Sequence, residues 1–182
     1  LASDVVHLMI WVVPVFLYLR FVDHTPALEF LRLRSPICIF GLWNGALVLL
    51  VYLAVGILLQ TSVRAPSEWF TLQRFDHWWL YLGLVVAPLA EEILFRGFLM
   101  RQFERLAPFV AANIVSALLF AEIHWPTWIY ANWGAGEIAF RSAQIALLGL
   151  LLGYVTRRTN SLWFAVGGHL LNNFVSLILW AP

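Results

Sequence analysis

An all-α membrane bundle with about six transmembrane helices is the fold class this sequence predicts. Three observations carry that expectation. The 182 residues are 62% hydrophobic and only 12% charged, about half the charged share of an ordinary soluble domain. The apolar residues fall in long runs, each near the ~20 residues that cross a hydrocarbon core. The arginines sit mostly between those runs.

Taken in order, the first run covers 5–21 and is interrupted by Pro14. It reads as a span and not as a secretory leader, because no small-residue cleavage site follows it. The second covers 36–60 and the third 78–103. The fourth, opening at Pro108, reaches His124 and the fifth covers 139–155; both are somewhat short. The sixth covers 162–180. Residues 1–77 then form an N-terminal two-helix membrane segment and 78–182 a four-helix core. The stretch WPTWIYANWGAGEI, 125–138, is broken by Pro and Gly and reads as an outer loop, a short interfacial helix or a lid.

Charge and cysteine content exclude several classes. The net charge of +1 makes nucleic acid a poor partner, while membrane lipid is the natural one. Cys38 stands alone, so it has no internal disulfide, and its apolar surroundings suggest an inert buried thiol. Loop charge also gives an orientation. Arg20, Arg32, Arg34, Arg101, Arg105, Arg157 and Arg158 fall at the first, third and fifth connections, against Arg64, Arg74 and Arg141 at the second and fourth. The first set marks the cytoplasmic side. Trp69, Trp78, Trp79, Trp125, Trp128 and Trp133 gather on the other side, as an interfacial belt does. A bacterial plasma membrane is the expected location.

The third run contains LAEEILFRGFLM, with three ionisable groups where lipid-soluble sequence is expected. An ionisable residue at mid-bilayer costs a few kcal/mol and marks a functional site by default. Glu92 and Arg96 are four apart on one helical face, in the favourable acid-before-base order, and read as an internal ion pair. Glu91 lies about 100° round the helix and has no basic residue three or four positions away. A desolvated carboxylate in that setting suits general acid–base work.

Two further polar stripes lie on later helices. Phe120 and His124 share a face with Asn113 and Ser116 on the fourth, and His169 and Asn173 share one on the sixth, with Asn172 close by. Measured from the Arg-rich side at 1.5 Å per residue, Glu91 lies ~15 Å deep, His169 ~12 Å and His124 up to ~24 Å. One carboxylate, two imidazoles and an amide at membrane depth form a hydrolytic constellation. A structural reading stands beside it, since intramembrane histidines also serve as interhelical hydrogen-bond partners.

These motifs, EExxxR at Glu91, Glu92 and Arg96, FxxxH at Phe120 and His124, and HxxxN at His169 and Asn173, resemble the CPBP family. These are the CAAX-processing and bacteriocin-processing (Abi) intramembrane proteases, which include the type II CAAX prenyl endopeptidases. The resemblance spans about 78–180; residues 1–77 contribute nothing to it, and family members commonly have more spans. It implies a glutamate-type intramembrane endopeptidase. Glu91 and His124 would activate a water, His169 and Asn173 would stabilise the oxyanion, and Glu92, Arg96 and Phe120 would support the site. No cofactor is implied. The substrate would be a peptide or membrane-anchored protein, entering a polar cavity that opens toward the Arg-rich side to admit water.

Other readings stay open at this point. Glu91, His124 and His169 form a two-His, one-Glu set of the kind that holds catalytic zinc, although no HExxH helix is present. No GxSxG elbow occurs. A non-catalytic relative could serve as a structural or assembly subunit of a membrane complex, with a partner held through residues 1–77. Such a complex could carry pigment or haem, since imidazole is a common axial ligand.

Overall fold

The structure is a computed structural model that describes residues 2–61 and 78–180. Among these residues the chain is a helical bundle without strands. Its helices are α1 (Ala2–Phe21), the single turn α2 (Ala27–Phe30), α3 (Ile39–Thr61) and α4 (Trp78–Glu92). A π-helical segment (Ile93–Leu99) runs on into α5 (Met100–Glu104). Then come α6 (Phe109–Glu122), α7 (Trp125–Tyr130), α8 (Ala135–Thr159) and α9 (Leu162–Trp180). Each apolar run therefore became helix. The fifth outgrows its predicted bounds at both ends. Polar residues such as Glu137 and Arg157 end the hydrophobic run without ending the helix, which stops where Asn160 turns left-handed at φ 57°. Residues 125–130 of the predicted outer loop form α7, with Pro126 in its first turn, where a missing N–H costs nothing.

Three stretches among the described residues are long and apolar enough to cross a membrane: Ile39–Leu58, Phe109–Tyr130 and Ala135–Thr159. Leu8–Phe21 is a shorter apolar helix. Cys38 is exposed, against the expectation of a buried thiol: it lies just before α3, on the outside of the bundle.

Helix α8 is central and packs on α3, α6 and α9, while α4 packs on α1 and α9. Small residues bring α6 and α8 together, as is common between membrane helices. A Cβ on Gly153 would overlap the Asn113 side-chain oxygen, and one on Gly149 would sit 3.0 Å from Ala117 Cβ. Asn113 in turn donates to the Leu150 carbonyl at 2.9 Å. On the far side, Val15 and Leu19 of α1 join Leu31, Ile93, Leu162 and Val166 in one buried cluster. Both N-terminal helices are thus packed against the later ones.

The predicted Arg-rich connections meet at one end. Arg105 grips Asp23 with two hydrogen bonds of 2.6 and 2.7 Å, and Arg157 holds Glu104 at 2.6 Å. Arg32 is buried and donates to the Thr156 carbonyl at 2.9 Å. Burial and the nearby Arg101 and Arg157 bring its guanidinium down to about 10. Arg64, Arg74 and Trp69 lie outside the described residues.

The hydrogen-bonded Arg105 guanidinium holds the Asp23 carboxyl below the ordinary carboxylate range. A depressed folded-state value adds stability above the unfolded value near 3.9, and that stability is lost as pH falls through the folded value. Asp23→Asn should therefore lower the thermal midpoint slightly at pH 7, and the difference from wild type should vanish near pH 2. The pair is largely solvated, so the effect stays small.

Candidate active site

The site is built on the π-helical segment. Its widened turn is marked by the Met100 amide, which donates to the Phe95 carbonyl five residues back. The Ser116 hydroxyl donates to the same carbonyl at 2.9 Å and so ties α6 to the irregular turn. Single π-turns inside α-helices are frequent at functional sites. Asn113 and Ser116, on the predicted polar face of α6, thus serve packing: each satisfies a backbone carbonyl on a neighbouring helix.

Glu92 is fully buried and its Oε1 accepts from Arg96 Nη1 at 2.8 Å, the ion pair expected from their spacing. The same oxygen lies 2.8 Å from His169 Nδ1. A carboxylate only accepts, so the proton is on Nδ1 and the tautomer of His169 is set by Glu92. That bond leaves Nε2 as the working nitrogen, and Nε2 lies 3.6 Å from Glu91 Oε2. Glu91 is 16% exposed, whereas Glu92 is sealed in. The two adjacent carboxylates therefore address opposite edges of one imidazole carried by α9. The sequence separated them by pairing and helical angle; it did not reveal that His169 touches both.

Phe120 is the hub between the motifs. It is 1% exposed, and its ring stands edge-on to His124 and His169 at 5.3 and 5.5 Å. The Arg96 guanidinium lies over the same ring, 4.1 Å from its centre. This contact puts part of the Arg96 charge against a π face. His124 Nδ1 is 2.9 Å from the Phe120 carbonyl, so it donates there and leaves Nε2 as an acceptor. Both histidines are thus held in the tautomer that presents Nε2.

A cavity of about 420 Å³ opens beside this cluster. His124, Asn172 and Asn173 line it, with Trp128, Trp133, Arg141 and Gln144. Asn172 Nδ2 donates to Asn173 Oδ1 at 3.3 Å, which fixes that amide and leaves its N–H groups directed elsewhere. The structure thus gathers Glu91, Glu92, Arg96 and His169 into one polar network, sets His124 against it through Phe120, and brings Asn173 to the same cavity as His124.

Two expectations are corrected. The cavity lies at the α7 end and not toward the Arg-rich side. Arg141 at its wall and Arg157 at the Arg-rich end are sixteen residues apart on α8, about 24 Å of helix. Trp128 and Trp133 also do more than mark a membrane interface. Trp128 is 8% exposed and stacks on His124 at 5.6 Å, and Trp133 stacks on Trp128 at 5.7 Å. The four-residue spacing from His124 to Trp128 was the available signal. Among the described residues, no three His, Cys, Asp or Glu side chains are grouped to hold a metal ion, the Glu91, His124 and His169 set included.

Comparison with known proteins bears on the same region. The model of the family described as "Type II CAAX prenyl endopeptidase Rce1-like" matches residues 73–175, which contain all three motifs. The uncharacterized protein YyaK of Bacillus subtilis (strain 168) is 30% identical over 130 residues, covering 66% of this chain. The chain spans 42% of the length of that relative. No solved structure matches.

Proposed function

From the premise that the chain belongs to the type II CAAX prenyl endopeptidase Rce1-like family, a membrane-embedded protease family, we propose that it is a glutamate-type intramembrane endopeptidase. The observation that carries this reading is His169, fixed through Nδ1 by buried Glu92, with Nε2 turned to the more exposed Glu91. Such an arrangement supplies an acid–base carboxylate beside an oriented imidazole.

In this mechanism Glu91 takes one proton of a water while His124 Nε2 accepts a hydrogen bond from the other. The water oxygen attacks the scissile carbonyl carbon and its electrons move onto the carbonyl oxygen. Asn173 Nδ2 and His169 Nε2 donate to that oxyanion, for which His169 carries a proton on each nitrogen. Each such donor contributes roughly 3–4 kcal/mol. As the carbonyl re-forms and the C–N bond breaks, Glu91 passes its proton to the leaving amine. No covalent intermediate and no metal take part. The protein acts as a multi-pass protein, in our reading in a bacterial plasma membrane. Its substrate is the prenylated C-terminal tail of a membrane-anchored chain.

The test is the purified protein in liposomes with a farnesylated peptide ending in a CAAX motif. Cleavage should occur, and His124→Ala should lower kcat by about 10²- to 10⁴-fold with the thermal midpoint unchanged. A chelator should leave the rate unchanged; loss of activity in chelator would favour the two-His, one-Glu zinc reading. A folded protein that cleaves nothing and copurifies with membrane subunits would favour a structural role.

A further inference from the structure

A second hollow, of about 580 Å³, opens where α1 turns into α2. It lies at the Arg-rich end, next to the Asp23 that Arg105 grips. Phe16, Leu17 and Arg20 reach it from one face of α1, and His24, Thr25 and Pro26 close it from the turn. The order along the helix is apolar, then cationic: Phe16 and Leu17 lie within the apolar stretch Leu8–Phe21, Arg20 at its end and His24 just beyond. None of the described residues that line the hollow is acidic. The acid beside His24 in the chain, Asp23, is taken by Arg105 and by the Thr25 hydroxyl, which donates to it at 3.2 Å. The backbone of His24 is left-handed at φ 51°, in a turn where the Thr25 amide donates to the Leu19 carbonyl at 3.0 Å. Glycine adopts that conformation freely and histidine only at a cost. Strained positions of this kind collect at binding sites. The turn thus places an imidazole in the same hollow as Arg20 where a glycine would fold more easily.

We propose that this hollow is a site for one anionic phospholipid. The Arg20 guanidinium and a His24 ring N–H donate to its phosphate, and the first carbons of an acyl chain lie over Phe16 and Leu17. The occupant follows from the order of the lining: a pair of phosphate donors at the end of an apolar helix, beside a hydrocarbon shelf, in a chain of a membrane-embedded family. A soluble anion would leave the shelf uncovered. A planar guanidinium binds phosphate with two parallel hydrogen bonds, and basic pockets at the ends of membrane helices hold anionic headgroups. The volume is within the range of small-ligand sites, so one headgroup fits while the rest of the lipid stays in the bilayer. Phe16 and Ala27 line the hollow and also pack on the buried cluster that contains Val15, Leu19 and Ile93. Ile93 directly follows Glu92. A bound lipid therefore braces the corner of the bundle that backs the Glu92 turn, and it stabilises the folded state by mass action.

The experiment measures the binding of short-chain phosphatidylglycerol and phosphatidylcholine to the purified protein in detergent. Phosphatidylglycerol should bind about tenfold more tightly, and it should raise the thermal midpoint where phosphatidylcholine does not. Arg20→Gln should remove the preference. His24→Gly should weaken it while the midpoint without lipid holds or rises, since glycine suits φ 51°. A ring that served only the fold would do the reverse, lowering the midpoint and leaving the preference. Arg34→Gln, at an exposed arginine of the same end outside the hollow, should leave the preference intact. Equal binding of the two lipids overturns the inference, as does a preference that survives Arg20→Gln. So does an equal loss in Arg34→Gln, which marks diffuse attraction to a basic end. Inorganic phosphate that displaces the lipid at the same concentration assigns the hollow to a soluble anion and overturns it too. Should Arg20→Gln fail to fold, His24→Gly decides alone: a weakened preference supports the site and an unchanged one overturns it.

Discussion

Glu91→Gln should abolish peptide cleavage while leaving the protein folded. The amide has nearly the shape of the carboxylate but cannot accept a proton from water or return it to the leaving amine. A positioned general base contributes about 10²–10⁴ in rate, and here one group serves both proton transfers, so kcat should fall by at least about 10³-fold. KM should change little, because the substitution leaves the cavity walls in place. Stability should hold, since Glu91 retains 16% exposure and the amide fills nearly the same space. Glu91→Asp makes the complementary measurement. It keeps the base but withdraws it by one methylene, and a displacement of about 1 Å costs on the order of 10²-fold. Single-turnover rates in liposomes, with thermal midpoints alongside, check both. A Glu91→Gln protein that keeps a tenth of the wild-type rate would assign the proton transfers to another group.

The legible parts of this site are those that depend on one helix alone. The Glu92–Arg96 pair follows from four-residue spacing, and the shared faces of Phe120 with His124 and of His169 with Asn173 follow from helical period. The meeting of Glu91 and His169 followed only as a matched depth, because their contact depends on how α4 packs against α9. The second partner of Glu92 was not legible for the same reason: His169 lies 77 positions away in the chain. The π-helical turn left no trace because ILFRGFL is an acceptable α-helical sequence, and the extra width shows only in the backbone bonding. The cavity was placed at the wrong end because loop arginines report which side of the membrane a connection faces, not where helices part. Its polar wall also draws on isolated residues of three helices, Tyr52, Gln144 and Ser176, each unremarked within an apolar run.

Glu92→Leu should destabilise the bundle and silence it together, in contrast to Glu91→Gln. Glu92 is 0% exposed and Arg96 1%, so removing the carboxylate strands a guanidinium in the interior. Breaking one side of a buried pair costs about 3–5 kcal/mol, most of it the penalty of the charge left behind. His169 loses its Nδ1 acceptor in the same step, so its tautomer and ring orientation are no longer fixed. The double variant Glu92→Leu/Arg96→Met separates the two consequences. With both charges gone and the volume roughly kept, most of the lost stability should return, because a buried ion pair is often no more stabilising than apolar side chains that fill its space. Activity should not return, because nothing then holds the Nδ1 proton of His169. Thermal midpoints measured beside cleavage rates would show a recovered midpoint with a flat rate. If the double variant also regained activity, Glu92 would be a packing element, and the orientation of His169 would have to come from Phe120, whose ring meets its edge at 5.5 Å.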